Sequence, residues 1–218
     1  MKTKKIIYFI LMYLPLGIAL IALQYLPDRI PAHYGFDHQV TRWGSKYEAL
    51  LYPAMTILMG YFLLAMAKLA TKQEEHGKNN ENVVIITGIF VLLLFNVLNG
   101  YSLYTDFHKI ENLSSVPLDI NQLVSGILGV LMIATGNIMP KLRMNSFAGL
   151  RTHWSMKNEV TWKKCQRAGG ISFMIGGIII IGICLVTRGI PCLLSVLGIL
   201  VILTIIDVFL TYRIAEKN

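Results

Sequence analysis

Charge is what this sequence has least of. Of 218 residues only 15% are Asp, Glu, Lys or Arg, against 55% hydrophobic, and the mean hydropathy is +0.58. Such a composition cannot cover one or two soluble domains with polar surface, so it excludes that class and points to a membrane protein. Cysteine is scarce as well. Cys165, Cys184 and Cys192 make neither a CxxC pair nor a Cys/His ligand set, and two lie in or beside apolar runs, so they read as packing residues. HExxH, GxSxG and paired intramembrane carboxylates are missing, which leaves no constellation for catalysis. The chain is therefore expected not to be an enzyme and to need no cofactor or metal.

What is present in quantity is long apolar segments. Residues 6–26 form a run of 21, enough to cross about 30 Å of hydrocarbon at about 1.5 Å per residue. A secretory signal has a shorter core and a small-x-small cleavage site, so this run is expected to be a retained first helix, with Pro15 tolerated inside it. Five more runs follow, near residues 49–67, 83–103, 118–139, 168–186 and 190–212. The expected fold is an all-α integral membrane protein of six transmembrane helices, the last two joined in a tight antiparallel hairpin by Thr187, Arg188 and Gly189.

The net charge of +8, from 20 basic and 12 acidic residues, is better read by its distribution than by its total. With both termini placed inside, fifteen Lys and Arg residues fall on the cytoplasmic side and only Arg29, Arg42, Lys46, Lys109 and Arg188 outside. Basic residues are retained on the cytoplasmic face during insertion, so the excess is a topology signal and not a nucleic-acid patch. The lipid bilayer is the first partner, and no direct contact with nucleic acid is expected.

Two extramembranous stretches stand out. The outer loop, residues 27–48, carries prolines that stiffen extended backbone, glycines suited to turns, and a dense group of distinctive types: Pro31, His33, Tyr34, Arg42, Trp43, Gly44 and Lys46. His33, Asp37 and His38 lack metal-ligand spacing, so a folded cap that meets a ligand is favoured over a metal site. The second stretch is a basic island over residues 139–170, with seven of the Lys and Arg residues and two of the three Trp. Pro140 ends helix four, Ser155 is the expected N-cap of the following helix, Trp154 and Trp162 suit the inner interface, and Lys157, Lys163, Lys164 and Arg167 suit headgroups or a protein partner. Residues 68–82 read as a solvated linker, and the acidic outer loop 104–119 identifies no site.

Within the membrane, Ser125, Gly126 and Gly129 in helix four and Gly169, Gly170, Ser172, Gly176, Gly177 and Gly182 in helix five read as packing surfaces, with Ser172 and Gly176 a small-xxx-small pair. The intramembrane polar residues are Asn96, Asn99, Asn137 and Asp207. Asp207 lies six residues before Arg213, close enough to the inner surface to pair with a basic residue of the island. These four are also what a small-solute or ion-coupled transporter, the alternative reading, would have to use.

At the island the sequence resembles the SdpI-type membrane immunity proteins of Bacillus-like bacteria. The family's cytoplasmic signature, approximately N-x-x-x-G-x-R-T-x-W-[ST] and then W-x-x-x-x-R, is met by Asn145, Gly149, Arg151, Thr152, Trp154, Ser155, Trp162 and Arg167. The outer loop resembles a short N-terminal domain common in that family, matching at Leu26, Pro27, Ile30, Pro31, His33, Tyr34, Arg42, Trp43, Gly44, Ser45 and Lys46 and departing at Gly35, His38 and Thr41. The resemblance implies residues 1–82 as the first two helices with their loop and linker, and residues 83–218 as a four-helix region with its signature loop at 140–167. It further implies a multipass protein of the bacterial cytoplasmic membrane that gives resistance to a secreted membrane-active peptide toxin and draws a cytoplasmic winged-helix repressor to the membrane.

Overall fold

The computed structural model describes residues 2–72, 77–145 and 148–217. Hydrocarbon offers no water to the peptide groups, so an apolar run must bond its own backbone, and each of the six runs is a helix. These are α1 (Lys2–Ala22), α2 (Leu51–Lys72), α3 (Gly77–Phe107), α4 (Ile120–Ile138), α5 (Glu159–Val186) and α6 (Gly189–Glu216). Among the described residues, six helices are long and apolar enough to cross a membrane.

The fold is not wholly helical. The outer loop contains β1 (Arg29–Tyr34) and β2 (Val40–Ser45), paired antiparallel in the register Ile30 to Gly44, Pro31 to Trp43 and His33 to Arg42, with irregularities on either side of His33. Pro31 lacks an N–H and is held on an edge-type strand of a two-stranded sheet, where no third strand requires that donor. The linker reading of residues 68–82 also changes. Helix α2 continues to Lys72 and α3 begins at Gly77, and the centre of that stretch, residues 73–76, lies outside the described residues.

The chain divides into two compact units: Met1–Leu63 with Gly88–Ile120, and Leu64–Thr87 with Asn121–Asn218. In the first, Tyr8 donates to the Gly60 carbonyl at 2.7 Å, and Asn96 donates to the Leu11 carbonyl at 2.8 Å, binding α1 to α2 and α3. A cluster of Ala22, Leu26, Ile30, Ala49 and Leu103 seats the hairpin on the helix ends.

In the second unit α4 and α5 meet backbone to backbone. A Cβ on Gly136 would stand 2.5 Å from the Gly170 carbonyl oxygen, and one on Gly129 2.8 Å from that of Gly177. The two contacts are seven residues apart on each helix and run in opposite order, as two antiparallel helices with one shared face require. Gly136 is absent from the small residues read as packing positions, whereas Gly126 and Gly182, which are among them, have nothing within 4 Å of the point a Cβ would occupy. Gly176 lies against Leu203 of α6 and Met132, so the Ser172–Gly176 pair serves a different neighbour from the Gly–Gly contacts.

Candidate functional site: an outer cap and a signature loop

The cap is built from two loops, residues 27–48 and 104–119, not one. Val40 donates from its backbone to the Glu111 carbonyl at 2.9 Å, Leu113 donates to the His38 carbonyl at 3.0 Å, and Gln39 bridges Asn112, so residues 110–113 lie along the start of β2. The Tyr34 hydroxyl donates to the Ile110 carbonyl at 2.8 Å. Burial raises the Tyr34 phenol above its ordinary range, with Asp106 adding to the rise. His38, in the left-handed region at φ 65°, brings Nδ1 within 3.3 Å of Asp119. The loop 104–119, to which sequence reading gave no site, is half of this structure.

Two of the singled-out cations hold the cap together. Arg42 makes a bidentate pair with Glu48 at 2.9 and 2.7 Å, which pushes the guanidinium pKa up further. Gly44 explains how Glu48 gets there. A Cβ on Gly44 would run into the Glu48 carboxylate and stand 2.7 Å from Ala32 Cβ, so only a residue without one lets that carboxylate lie against the strand. Lys46 pairs with Asp28 at 3.0 Å while its backbone N–H donates to the Asp28 carbonyl. His33 Nδ1 contacts Thr41 Oγ1 at 2.6 Å. Pro31 is buried, and Trp43, His33 and Thr41 remain on the exposed surface. Phe36, at the turn between the strands, is 92% exposed.

The signature loop is organised by side chains that replace missing backbone partners. Asn145 is buried and donates to the Arg143 and Ala148 carbonyls while accepting from Ala148 N at 2.7 Å. Gly149 adopts φ 102°, a conformation L side chains rarely take, and a Cβ there would be 2.5 Å from Gln166 Oε1. Gln166, fully buried on α5, reads the next residue from both sides: Leu150 N donates to its Oε1 and its Nε2 donates to the Leu150 carbonyl, each at 2.9 Å. Trp162 is also fully buried and donates from Nε1 to the Leu142 carbonyl at 2.9 Å. It packs with Val83, Met139 and Leu142, so it is a core side chain and not one exposed to headgroups or a partner. The loop walls a cavity of about 260 Å³ lined by Thr87, Thr135, Leu142, Gly149, Leu150 and Phe173 among others.

A second set of bonds ties the loop to α6. Thr152 accepts the Ser155 N–H, and its hydroxyl donates to Thr211 Oγ1 at 3.0 Å. Trp154 packs edge-on against Tyr212, with ring centroids 5.5 Å apart at 74°. Lys157 donates to the Ala215 carbonyl at 3.1 Å, a cation at the C-terminal end of a helix where the dipole favours it. Ser155 is not the N-cap of α5. It is buried inside the loop, donating to the Leu150 carbonyl, and Asn158 caps the helix by accepting from Thr161 N at 2.8 Å. Arg151, Lys163 and Arg167 are exposed. Arg151 and Arg167 make no hydrogen bond or ion pair among the described residues.

The intramembrane polar residues have separate fates. Asn96 is spent on helix contacts, Asn99 is buried with Oδ1 unpartnered, and Asn137 is exposed. Asp207 is 2% exposed and forms no ion pair among the described residues. Its Oδ1 and Ser172 Oγ are both buried without hydrogen-bond partners, which corrects the expected pairing with a basic residue of the island. Asp106, read only as an acidic loop residue, is a buried acid at the end of α3 with Oδ2 unpartnered. Among the described residues no group of His, Cys, Asp and Glu could hold a metal ion.

Six membrane-length helices, a folded hairpin between the first two and a side-chain-built loop define a multi-pass membrane protein. Residues 141–211 match the SdpI/YfhL protein family, and residues 10–57 match the domain of unknown function DUF1648. The chain is 27% identical over 188 residues to the Immunity protein SdpI of Bacillus subtilis (strain 168), covering 81% of this chain and 79% of that protein. The chain thus carries an SdpI/YfhL family region preceded by a DUF1648 region, and the resemblance read from its two motifs is borne out. No solved structure matches it.

Proposed function

We propose that the chain is a membrane immunity protein that gives resistance to a secreted membrane-active peptide toxin, with its cap outside the cell, both termini inside, and its signature loop offered to a cytoplasmic winged-helix repressor. The observation that carries this reading is the match to an immunity protein over most of both chains, with the hairpin inside one of the two matched regions and the signature loop almost wholly inside the other. The basic excess on one side supports the orientation.

In this reading the toxin meets the exposed row His33, Thr41 and Trp43 with the Phe36 tip, while Pro31, Tyr34, Arg42, Gly44 and Lys46 hold that row in place. On the inner side Arg151 and Arg167 supply free positive charge to an acidic repressor surface, whose choice is set by charge complementarity. Asn145, Gly149, Thr152 and Trp162 shape the loop that presents them. Expression in a toxin-sensitive strain, followed by challenge with sporulation-delaying-type and other membrane-active peptides, is expected to give protection. Protection and repressor capture both intact in a normally inserted Arg151→Ala or Trp154→Ala protein would sink the two-sided version.

The buried, unpaired Asp207 favours a second reading, a small-solute or ion-coupled transporter with Asn96 and Asn99 as further polar positions. Proton-coupled uptake lost in Asp207→Asn, without loss of insertion, is the outcome that distinguishes it.

A further inference from the structure

The chain has three cysteines, and two of them meet. Cys184 lies two residues before the end of α5 and Cys192 three residues into α6, with only Thr187 and Arg188 between the helices. Antiparallel packing therefore sets the pair side by side, within a turn of the connection. Their Sγ atoms are 3.7 Å apart, sulfur against sulfur in van der Waals contact. Both are buried in a cluster with Met132, Ile180 and Val196. The backbone around them is held as well. Gln122 of α4 donates to the Cys184 carbonyl at 2.7 Å, and the Thr187 N–H and hydroxyl both donate to the Ile183 carbonyl.

A disulfide holds its sulfurs about 2 Å apart, so closing this contact asks less than about 2 Å of movement from two side chains on fixed helices. Cys165 cannot compete, because it lies about five turns earlier on α5. A metal is the poorer reading of the pair. Two sulfurs are half of a tetrahedral site, and among the described residues no group of His, Cys, Asp and Glu could hold an ion. Packing alone would be met by any small apolar side chain at either position.

We propose that Cys184 and Cys192 are a redox-active dithiol, closed to a disulfide by a lipid-soluble quinone. The surroundings favour that class of oxidant: the sulfurs sit among apolar side chains, and Leu185 and Val186 beside them are exposed on a span surface that lipid covers. Cys184 is 7% exposed and Cys192 fully buried, so the Cys184 sulfur adds to the quinone first. The Cys192 sulfur then attacks that of Cys184. The S–S bond forms, the sulfur–quinone bond breaks, the electron pair leaves with the ring, and the two thiol protons end on the oxygens of the hydroquinone. The product ties α6, the least covered of the six spans at 11%, to α5. The site is independent of toxin and repressor.

The test uses the full reduced chain in phosphatidylcholine nanodiscs, with duroquinone as the probe because its ring has no open position to arylate. Denaturation and maleimide labelling should find three thiols before treatment and one after it, with dithiothreitol restoring all three. Hydroquinone should form one for one with the disulfide. Cleavage after Arg188 separates the two cysteines, so trypsin should release residues 168–188 still joined to residues 189–213. Cys184→Ala and Cys192→Ala should each lower hydroquinone to the level given by a chain with all three cysteines replaced by Ala. Where either variant does not fold, the peptide linkage in the unaltered chain carries the result alone. Three thiols remaining after duroquinone overturn the proposal, as does closure by copper–phenanthroline only, which means neighbouring thiols that no quinone oxidises. Linkage to Cys165 or between two chains overturns it too.

Discussion

Gln166 and Leu150, sixteen residues apart, pair like two strands for one step: the Gln166 amide accepts from the Leu150 N–H and donates to the Leu150 carbonyl, each at 2.9 Å. A side chain from a membrane helix thereby supplies the backbone partner that an irregular loop lacks. Buried peptide groups left unpaired cost about 1–3 kcal/mol each. Gln166→Leu is therefore expected to destabilise the protein by about 1–3 kcal/mol, since it strands the Leu150 N–H while the Leu150 carbonyl keeps the Ser155 hydroxyl as donor. Glu at this position keeps the acceptor and loses the donor, and should fall between. Thermal unfolding in detergent, followed by Trp162 emission, measures both; a change within about 0.5 kcal/mol for Gln166→Leu would remove the pairing from the account of the loop.

Gly149 is tied to the same pair. Its φ of 102° and the 2.5 Å approach of a Cβ to Gln166 Oε1 make Gly149→Ala doubly unfavourable, by strain of about 1–3 kcal/mol and by displacement of the Gln166 amide. The expected result is a lowered unfolding midpoint with unchanged membrane insertion. Combined with Gln166→Ala, the two effects should be less than additive, because the second change removes the atom the new methyl hits.

The α4–α5 crossing separates glycines that look alike in sequence. Gly136→Val is expected to abolish the folded second unit, because the obstructing atom is the Gly170 backbone carbonyl and cannot rotate away. Gly126→Val, with open space at its Cβ, should be tolerated. Yield of monodisperse protein after detergent extraction reads the difference. Equal yields would mean the helices do not approach as described.

Tyr34 gives the cap an alkaline limit. Its phenol pKa is raised by burial in the folded protein, so the folded state holds the proton more tightly than the unfolded chain. That contribution is fully present below the ordinary tyrosine value of about 10 and is lost as pH rises through the higher folded value. Phenolate absorbance near 295 nm should show a late-titrating tyrosine that disappears in Tyr34→Phe, and cap unfolding should track it. The same substitution leaves the Ile110 carbonyl without its donor, so it also lowers stability at neutral pH.

Arg42 and Glu48 form a solvent-facing clasp, so Arg42→Ala should move the unfolding midpoint only slightly at physiological salt. Gly44→Ala should do more, because its methyl competes with the Glu48 carboxylate and with Ala32 for the same space. Proteolysis of the outer loop in intact membranes is the readout. Faster cleavage in Arg42→Ala than in Gly44→Ala would reverse the assignment of which residue organises the cap.

Hydrophobic run length was enough to count the helices, because it is a one-dimensional property that the bilayer reads directly. The two motif regions were legible too, since Gly149, Arg151, Trp43 and Gly44 are distinctive types in oily surroundings. Their roles were not. Trp162 and Asn145 looked like surface recognition residues and are buried framework, while Gln166 and Glu48, ordinary residues in their segments, carry the main geometry of loop and cap. No local pattern announces such residues, because each bonds to a partner brought near only by helix packing. The same holds for Gly136, indistinguishable in sequence from Gly126 until the carbonyl of Gly170 lies against it. Sequence alone determined which segments are apolar enough to span a membrane and where the polar, chemistry-bearing stretches lie, since burial in lipid depends on composition over a window. Only the tertiary structure decided that residues 104–119 complete the cap, that Asp207 is unpaired, and that Thr152 and Trp154 tie the loop to α6, because hydrogen bonds and close contacts act over about 3 Å and depend on which elements are brought together.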